Sequence, residues 1–223
     1  MLGCLMSNKT LSMTDSLYQY WLTHGVKESP IMEALRTETQ KLPTAMMQIS
    51  PEQGQFLTFL TQLLSVQYAL ELGTFTGYSA CAIANGLTES GRLITCDQNL
   101  EWTNIAKQFW QQAGLNNKIE LRLAPAAQTL EQLIQEKAQF DLIFIDADKI
   151  NYLHYYEQAL ILLAPHGVML IDNIFFGGAV ADSTNNLPAT RAIRALNKKI
   201  TEQTDIQFCI VPIGDGLTLL RKC

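Results

Sequence analysis

The sequence predicts a doubly wound α/β fold: a mostly parallel sheet with one antiparallel C-terminal strand and a cover of N-terminal helices. Three observations predict it. From residue 66 onward, short apolar runs alternate with segments of helical period, the pattern of repeated strand-helix-strand units. The runs Phe140 to Ile145 and Gly167 to Ile171 are apolar almost throughout, as in strands buried on both faces. The alternation then stops, and two apolar runs, Ile206 to Val211 and Leu217 to Arg221, flank the turn Gly214-Asp215-Gly216.

Taken in order, Thr14 to His24, Pro30 to Leu42 and Pro51 to Ser65 read as helices. The third opens with Ser50 at the N-cap and Pro51 at the first helical position. Strands are expected at Gln67 to Leu72, Arg92 to Cys96 and Lys118 to Leu123, and helices at Tyr78 to Leu87, Leu100 to Ala113 and Ala126 to Lys137. The two apolar strands follow with their own crossover, then a helix from Pro188 to Thr201 and the terminal hairpin. Residues 1–13 read as a flexible extension, with Met6 and Met13 as alternative starts. The rest is one domain, 14–65 as helical cover and 66–223 as core. Phe176 to Leu187, rich in Gly, Asn and Ser, is expected to be a mobile loop.

A length of 223 residues, 48% of them apolar, is ample for such a core. No apolar stretch is long enough to cross a membrane, and the start lacks the basic residues of a signal peptide, so a cytoplasmic protein is expected. The five cysteines form no CxxC pair and read as reduced thiols. A net charge of -5 argues against a general nucleic-acid binder and leaves a small molecule as the expected partner.

The chemistry gathers where strands end. Phe140 to Ile145 runs out into Asp146-Ala147-Asp148-Lys149, and Gly167 to Ile171 into Asp172-Asn173. Oxygen donors on two strand ends, next to a lysine, suggest a hard divalent ion beside a proton-transfer group, with Mg²⁺ first and Ca²⁺ or Mn²⁺ as alternatives. The first strand leads into Glu71-Leu72-Gly73-Thr74-Phe75-Thr76-Gly77, a glycine turn opening a helix. It lacks the GxGxxG spacing of dinucleotide sites, and Glu71 would repel a pyrophosphate yet suit an amino group. Asp97, closing the second strand, is placed to accept from ribose hydroxyls. Together these residues point to a nucleoside with a cationic tail.

Glu71 to Ser79 resembles the first motif of class I S-adenosylmethionine-dependent methyltransferases, whose sheet is Rossmann-like. More narrowly, the chain is similar to the catechol and caffeoyl-CoA O-methyltransferase group. Gln48 to Gln55, Asp141 to Lys149 with Asn151-Tyr152, Asp172-Asn173 and Pro212 to Gly216 carry the likeness further. The resemblance implies S-adenosylmethionine held by Ile49, Glu71, Gly73, Thr74, Ser79, Asp97, Ala126 and Asp146. It implies a divalent metal on Asp146, Asp172 and Asn173, Lys149 as general base, a vicinal dihydroxy aromatic acceptor, and a homodimer.

The likeness has departures. The chain reads Asp172-Asn173-Ile174-Phe175-Phe176 where relatives often carry Asp-Asn-x-Leu-Trp, and Pro165-His166-Gly167 where they carry Pro-Gly-Gly. It lacks the Arg-Lys-Tyr series of plant enzymes acting on CoA thioesters, which favours a smaller acceptor, and Phe175 to Val180 reads as a lid over its ring. A nicotinamide-dependent oxidoreductase is disfavoured by the missing GxGxxG and by Glu71; a non-catalytic S-adenosylmethionine-binding regulator is the other alternative. Asp148 has no assigned role. His24, His154 and His166 read as structural, and Trp102 and Trp110 as core or cofactor-edge packing.

Overall fold

Thr14 caps the first helix rather than joining it: its hydroxyl accepts from the Leu17 N–H at 3.3 Å, and α1 runs Asp15–Gly25. The computed structural model describes residues 10–223, so Cys4 and most of the expected extension lie outside the described residues. Helix α2 (Pro30–Thr39) stops short of the expected Leu42. The chain tightens into i to i+3 turns at Lys41 and Leu42 because Pro43 disfavours helical geometry before it. Helix α3 (Pro51–Leu63) begins at Pro51 as expected, although Ser50 turns its hydroxyl to Glu52 Oε1 at 2.6 Å instead of capping the backbone.

The alternating core follows: β1 (Tyr68–Leu72), α4 (Tyr78–Gly86), β2 (Arg92–Asp97), α5 (Leu100–Gln112), β3 (Ile119–Leu123), α6 (Ala126–Gln135), β4 (Phe140–Ile145), α7 (Tyr152–Leu162), β5 (Leu163–Ile171), α8 (Pro188–Glu202), β6 (Ile206–Val211) and β7 (Leu217–Lys222). The seven strands lie in the order β3-β2-β1-β4-β5-β7-β6. The pairs among β1 to β5 are parallel, while β7 runs antiparallel to both β5 and β6, so the hairpin adds one reversed strand, as expected. The order reverses between β1 and β4, the switch point where such sheets open a crevice at their carboxyl ends.

Apolar layers cover both faces. Along β4, Leu142 and Phe144 pack on one face with Leu57, Ile83, Leu93 and Trp110, while Ile143 and Ile145 pack on the other with Leu130, Tyr156, Met169 and Ile193. The period-two split of an unbroken apolar run is what a central strand requires. Strand β5 starts earlier than Gly167, and Pro165 is tolerated there because only Met169 to Ile171 pair with β7. Cys81 and Cys96 are buried, Cys209 and Cys223 exposed, and all four are free thiols.

The segment 176–187 is more ordered than the mobile loop expected. It contains 3-10 turns over Phe176–Ala181, and the Arg194 guanidinium on α8 donates to the carbonyls of Ala179, Val180, Asp182 and Asn185. Among the described residues, no helix is long and apolar enough to cross a membrane.

Candidate active site

The parallel ladder continues one residue past each strand. The Gly73 N–H donates to Cys96 O at 3.0 Å, the Asp146 N–H to Leu72 O at 2.9 Å, and the Asp172 N–H to Ile145 O at 3.0 Å. Four strand ends are thereby locked in line, and the residues just beyond them border one cleft of about 440 Å³. Ile49, Gly73, Thr74, Ser79, Asp97, Ala126, Asp146, Lys149 and Asn173 line it, while Glu71 and Asp172 are buried, Glu71 joined to Thr74 through the Thr95 side chain and Asp172 adjacent in sequence to Asn173. The expected residues thus come together from both halves of the chain.

At the switch point, Gly73 is required on two counts. Its φ is +98°, and a Cβ there would stand 1.9 Å from the Asp146 carbonyl oxygen. Glu71 is wholly buried; its Oε2 accepts from the Thr95 hydroxyl at 2.6 Å, and Thr95 in turn meets the Thr74 hydroxyl at 2.6 Å. Burial pushes its carboxyl up to about 8, against the pull of the Ser79 and Thr95 hydroxyls. Its Oε1 has no partner, a buried acceptor that suits a donor on a bound molecule.

Asp97 does more than the sequence suggested. Its Oδ2 accepts from the Thr74 and Phe75 N–H groups at 3.2 and 2.8 Å, and its Oδ1 from the Asn99 N–H at 2.9 Å. A carboxylate has about four acceptor sites, so Asp97 anchors the glycine turn and still keeps capacity for a hydroxyl. Phe75, at φ +48°, packs edge-on against Trp102 at 5.0 Å, which places Trp102 at the cleft rather than in the core. Trp110 is the core member of the pair, its Nε1 donating to Gly77 O at 3.2 Å.

On the far side, Lys149 Nζ donates to Asp146 Oδ1 at 2.7 Å and to the Tyr152 hydroxyl at 2.6 Å. Asp172 is 2% exposed, and its Oδ2 accepts from Gln53 Nε2 at 2.9 Å and its Oδ1 from the Asn173 N–H at 2.7 Å. Burial and then the neighbouring Asp146 charge push the Asp172 carboxyl up. Asn173 sits at φ +59°, with its Nδ2 toward Asp215 Oδ2 at 3.4 Å, and Asp215 Oδ1 accepts from the Gly177 N–H at 2.7 Å. Among the described residues no three His, Cys, Asp or Glu side chains form a metal-binding group. Two carboxylates and an amide are nevertheless an oxygen donor set of the kind that hard cations use, and one amine, Lys149, against the partly exposed Asp146 and the buried Asp172 leaves negative charge that a cation would offset.

Gln53, Tyr152 and Asp215 had no role in the sequence reading, although each lies inside a motif it singled out. Tyr152 is wholly buried and holds the amine of Lys149 from below its helix start. Asp148, left unassigned, lines the cleft and accepts from the Tyr155 hydroxyl and, at 2.6 Å, from Asn151 Nδ2. His24 stacks on Tyr20 at 4.1 Å on the exposed side of α1.

Comparison with known proteins agrees with this geometry. A family model described as O-methyltransferase matches residues 22–223. The mouse catechol O-methyltransferase domain-containing protein 1 is 38% identical over 93% of this chain and 80% of its own length. A caffeoyl-CoA O-methyltransferase of Eucalyptus gunnii is 36% identical, covering 97% and 91% respectively. The crystal structure of an O-methyltransferase from Bacillus cereus in complex with SAH superposes with a TM-score of 0.86 at 31% identity, over 93% of this chain and 97% of that one. With a Rossmann-like sheet, the switch-point cleft and a match over nearly the whole sequence, the chain belongs to the O-methyltransferase family.

Proposed function

We propose that this enzyme transfers a methyl group from S-adenosylmethionine to one hydroxyl of a vicinal dihydroxy aromatic acceptor, with a divalent cation on Asp146, Asp172 and Asn173. The observation that carries the reading is the convergence of those three oxygen donors with Lys149, whose amine lies 2.7 Å from Asp146 Oδ1. The donor supplies an electrophilic methyl on a sulfonium, and a cation of this class supplies Lewis-acid polarisation of adjacent hydroxyls. Glu71 Oε1, buried and without a partner, suits the donor's amine, and the free acceptor capacity of Asp97 suits its ribose. Ile49 and Ala126 line the same cleft and add apolar surface to it. Lys149, fixed by Asp146 and Tyr152, takes the proton from the attacking hydroxyl when its amine is in the neutral form, becoming the ammonium as the methyl leaves the sulfonium.

The acceptor is a small catechol rather than a CoA thioester. Asp97, Asp146, Asp148 and Asp215 line the cleft against one amine, Lys149, a poor setting for a polyphosphate tail, while Met46, Met47, Tyr155 and Phe176 offer apolar walls to a ring. The test is incubation with S-adenosylmethionine, Mg²⁺ and a panel of catechols and caffeoyl-CoA, with and without EDTA. Methylation indifferent to EDTA removes the cation, and a preference for caffeoyl-CoA removes the small acceptor. We also infer a homodimer, since α1 buries no residue and β6 exposes Phe208 and Ile210; sedimentation velocity tests it.

A further inference from the structure

Asp172 is held from a part of the chain far from its strand. Gln53, itself 2% exposed, reaches it from α3 in the helical cover, 119 residues away in sequence, with Nε2 at 2.9 Å from Oδ2. Asp172 is buried beside the like charge of Asp146, and a carboxylate so placed tends to rotate away or take up a proton. A neutral amide donor fixes the plane of the group and leaves its charge intact. A lysine in that place would fix the plane as well, but would cancel the charge that attracts a cation.

The seat of Gln53 is itself built. Gly214, in the turn between β6 and β7, has φ +53°, and a Cβ there would stand 2.5 Å from Gln53 Oε1. Three elements therefore meet at one carboxylate: α3 supplies the donor, the end of β5 the acceptor, and the β6–β7 turn the space in which the amide lies. The cover that carries Gln53 also carries Gln48 and Ile49 on the cleft wall, so docking of α3 shapes the donor side and the cation side together.

We propose that Gln53 is a positioning residue of the cation site, orienting Asp172 from the N-terminal cover while the Gly214 turn keeps its amide in place. The proposal rests on the divalent-cation reading above. Residues behind metal ligands govern affinity by fixing ligand orientation, so the effect is on cation binding rather than on the donor pocket.

The experiment is a Mn²⁺ titration of the full chain followed by electron paramagnetic resonance without acceptor, paired with calorimetric binding of S-adenosylhomocysteine. Gln53→Met, close in volume and unable to donate, is expected to bind Mn²⁺ about 10- to 100-fold more weakly with unchanged S-adenosylhomocysteine affinity. Gly214→Ala should do the same by displacing the amide from a different element, so either variant that keeps its S-adenosylhomocysteine affinity decides the matter. Wild-type Mn²⁺ affinity in a variant that keeps its S-adenosylhomocysteine affinity overturns the role of Gln53, as does a parallel fall of both affinities in both variants. A wild-type chain that leaves all Mn²⁺ in its free aqueous signal overturns the cation reading itself.

Discussion

Lys149 Nζ lies 2.7 Å from Asp146 Oδ1, so the proposed base and a proposed cation ligand are in direct contact across one turn of chain. The spacing follows from the strand end: Asp146 is pinned to Leu72 by its backbone N–H, and the 3-10 turn Lys149–Asn151 brings the amine back over it. If that amine takes the proton, Lys149→Met should lower kcat by about 10²- to 10⁴-fold and leave S-adenosylhomocysteine binding intact. Full activity in this variant, beside a dead Asp146→Ala, would remove the base from the mechanism.

Tyr152 gives Lys149 its second anchor. The hydroxyl is 2.6 Å from Nζ and the ring centroid 4.8 Å, and the side chain is wholly buried. Tyr152→Phe keeps the ring beside the amine and deletes one hydrogen bond. A drop of about tenfold in kcat is expected, the size of one such bond, with KM for S-adenosylmethionine unchanged. Steady-state kinetics with a catechol acceptor will show whether the loss falls on kcat.

Gly73 tests how tightly the switch point is built. Alanine there combines φ +98° with a Cβ 1.9 Å from backbone, whereas Gly178, at φ +83°, has nothing within 4 Å. Gly73→Ala should therefore lose about 3 kcal/mol or more, and Gly178→Ala only about 1–2 kcal/mol from its backbone conformation. Thermal melting of the two variants side by side separates collision from strain, and equal melting shifts would deny the close approach.

What the sequence made legible was whatever is local. The apolar runs, the glycine turn and the charged strand ends have signatures within ten or so residues, and β6 lies at Ile206–Val211 as expected. The β5 start moved because the short β5–β7 pairing, made by a distant strand, leaves room for Pro165, whereas the early end of α2 was a local signal, Pro43, given too little weight. The candidate site residues Glu71, Asp97, Asp146 and Asp172 were legible for the same reason: each sits at or beside a strand end. Gln53 and Asp215 were not, because their partners, Asp172 and Asn173, lie 119 and 42 residues away. Asp97 was only half legible, since nothing in a strand-end acid reveals the backbone N–H groups that will fold onto it.

Arg194 accounts for the order in segment 176–187. One guanidinium satisfies carbonyls of Ala179, Val180, Asp182 and Asn185, and no neighbouring apolar contact could replace that set. Arg194→Ala should leave the global melting transition nearly in place while exposing the segment to limited proteolysis, its local opening eased by about 1–3 kcal/mol. Because Phe176 borders the cleft, KM for the acceptor should rise. Cleavage elsewhere, or wild-type resistance within 176–187, would show that other contacts hold the loop.

Glu71 sets a pH dependence of stability whose sign is fixed by its burial. Its carboxyl ordinarily titrates near 4.5 and in the fold is pushed up to about 8. Between those values the folded chain keeps a proton that the unfolded chain has lost, so stability falls as pH rises, by at most about 1.4 kcal/mol per pH unit from this group. Below that window the group adds no slope, and above it the full penalty persists. Glu71→Gln should flatten the decline in denaturant titrations across the window, leaving a residue from Asp172, whose carboxyl is pushed up in the same sense. An amine placed beside Glu71 favours its ionised form, so saturating S-adenosylhomocysteine should flatten the slope in the wild type and change little in Glu71→Gln. A wild-type slope in the variant would assign the titration to another group.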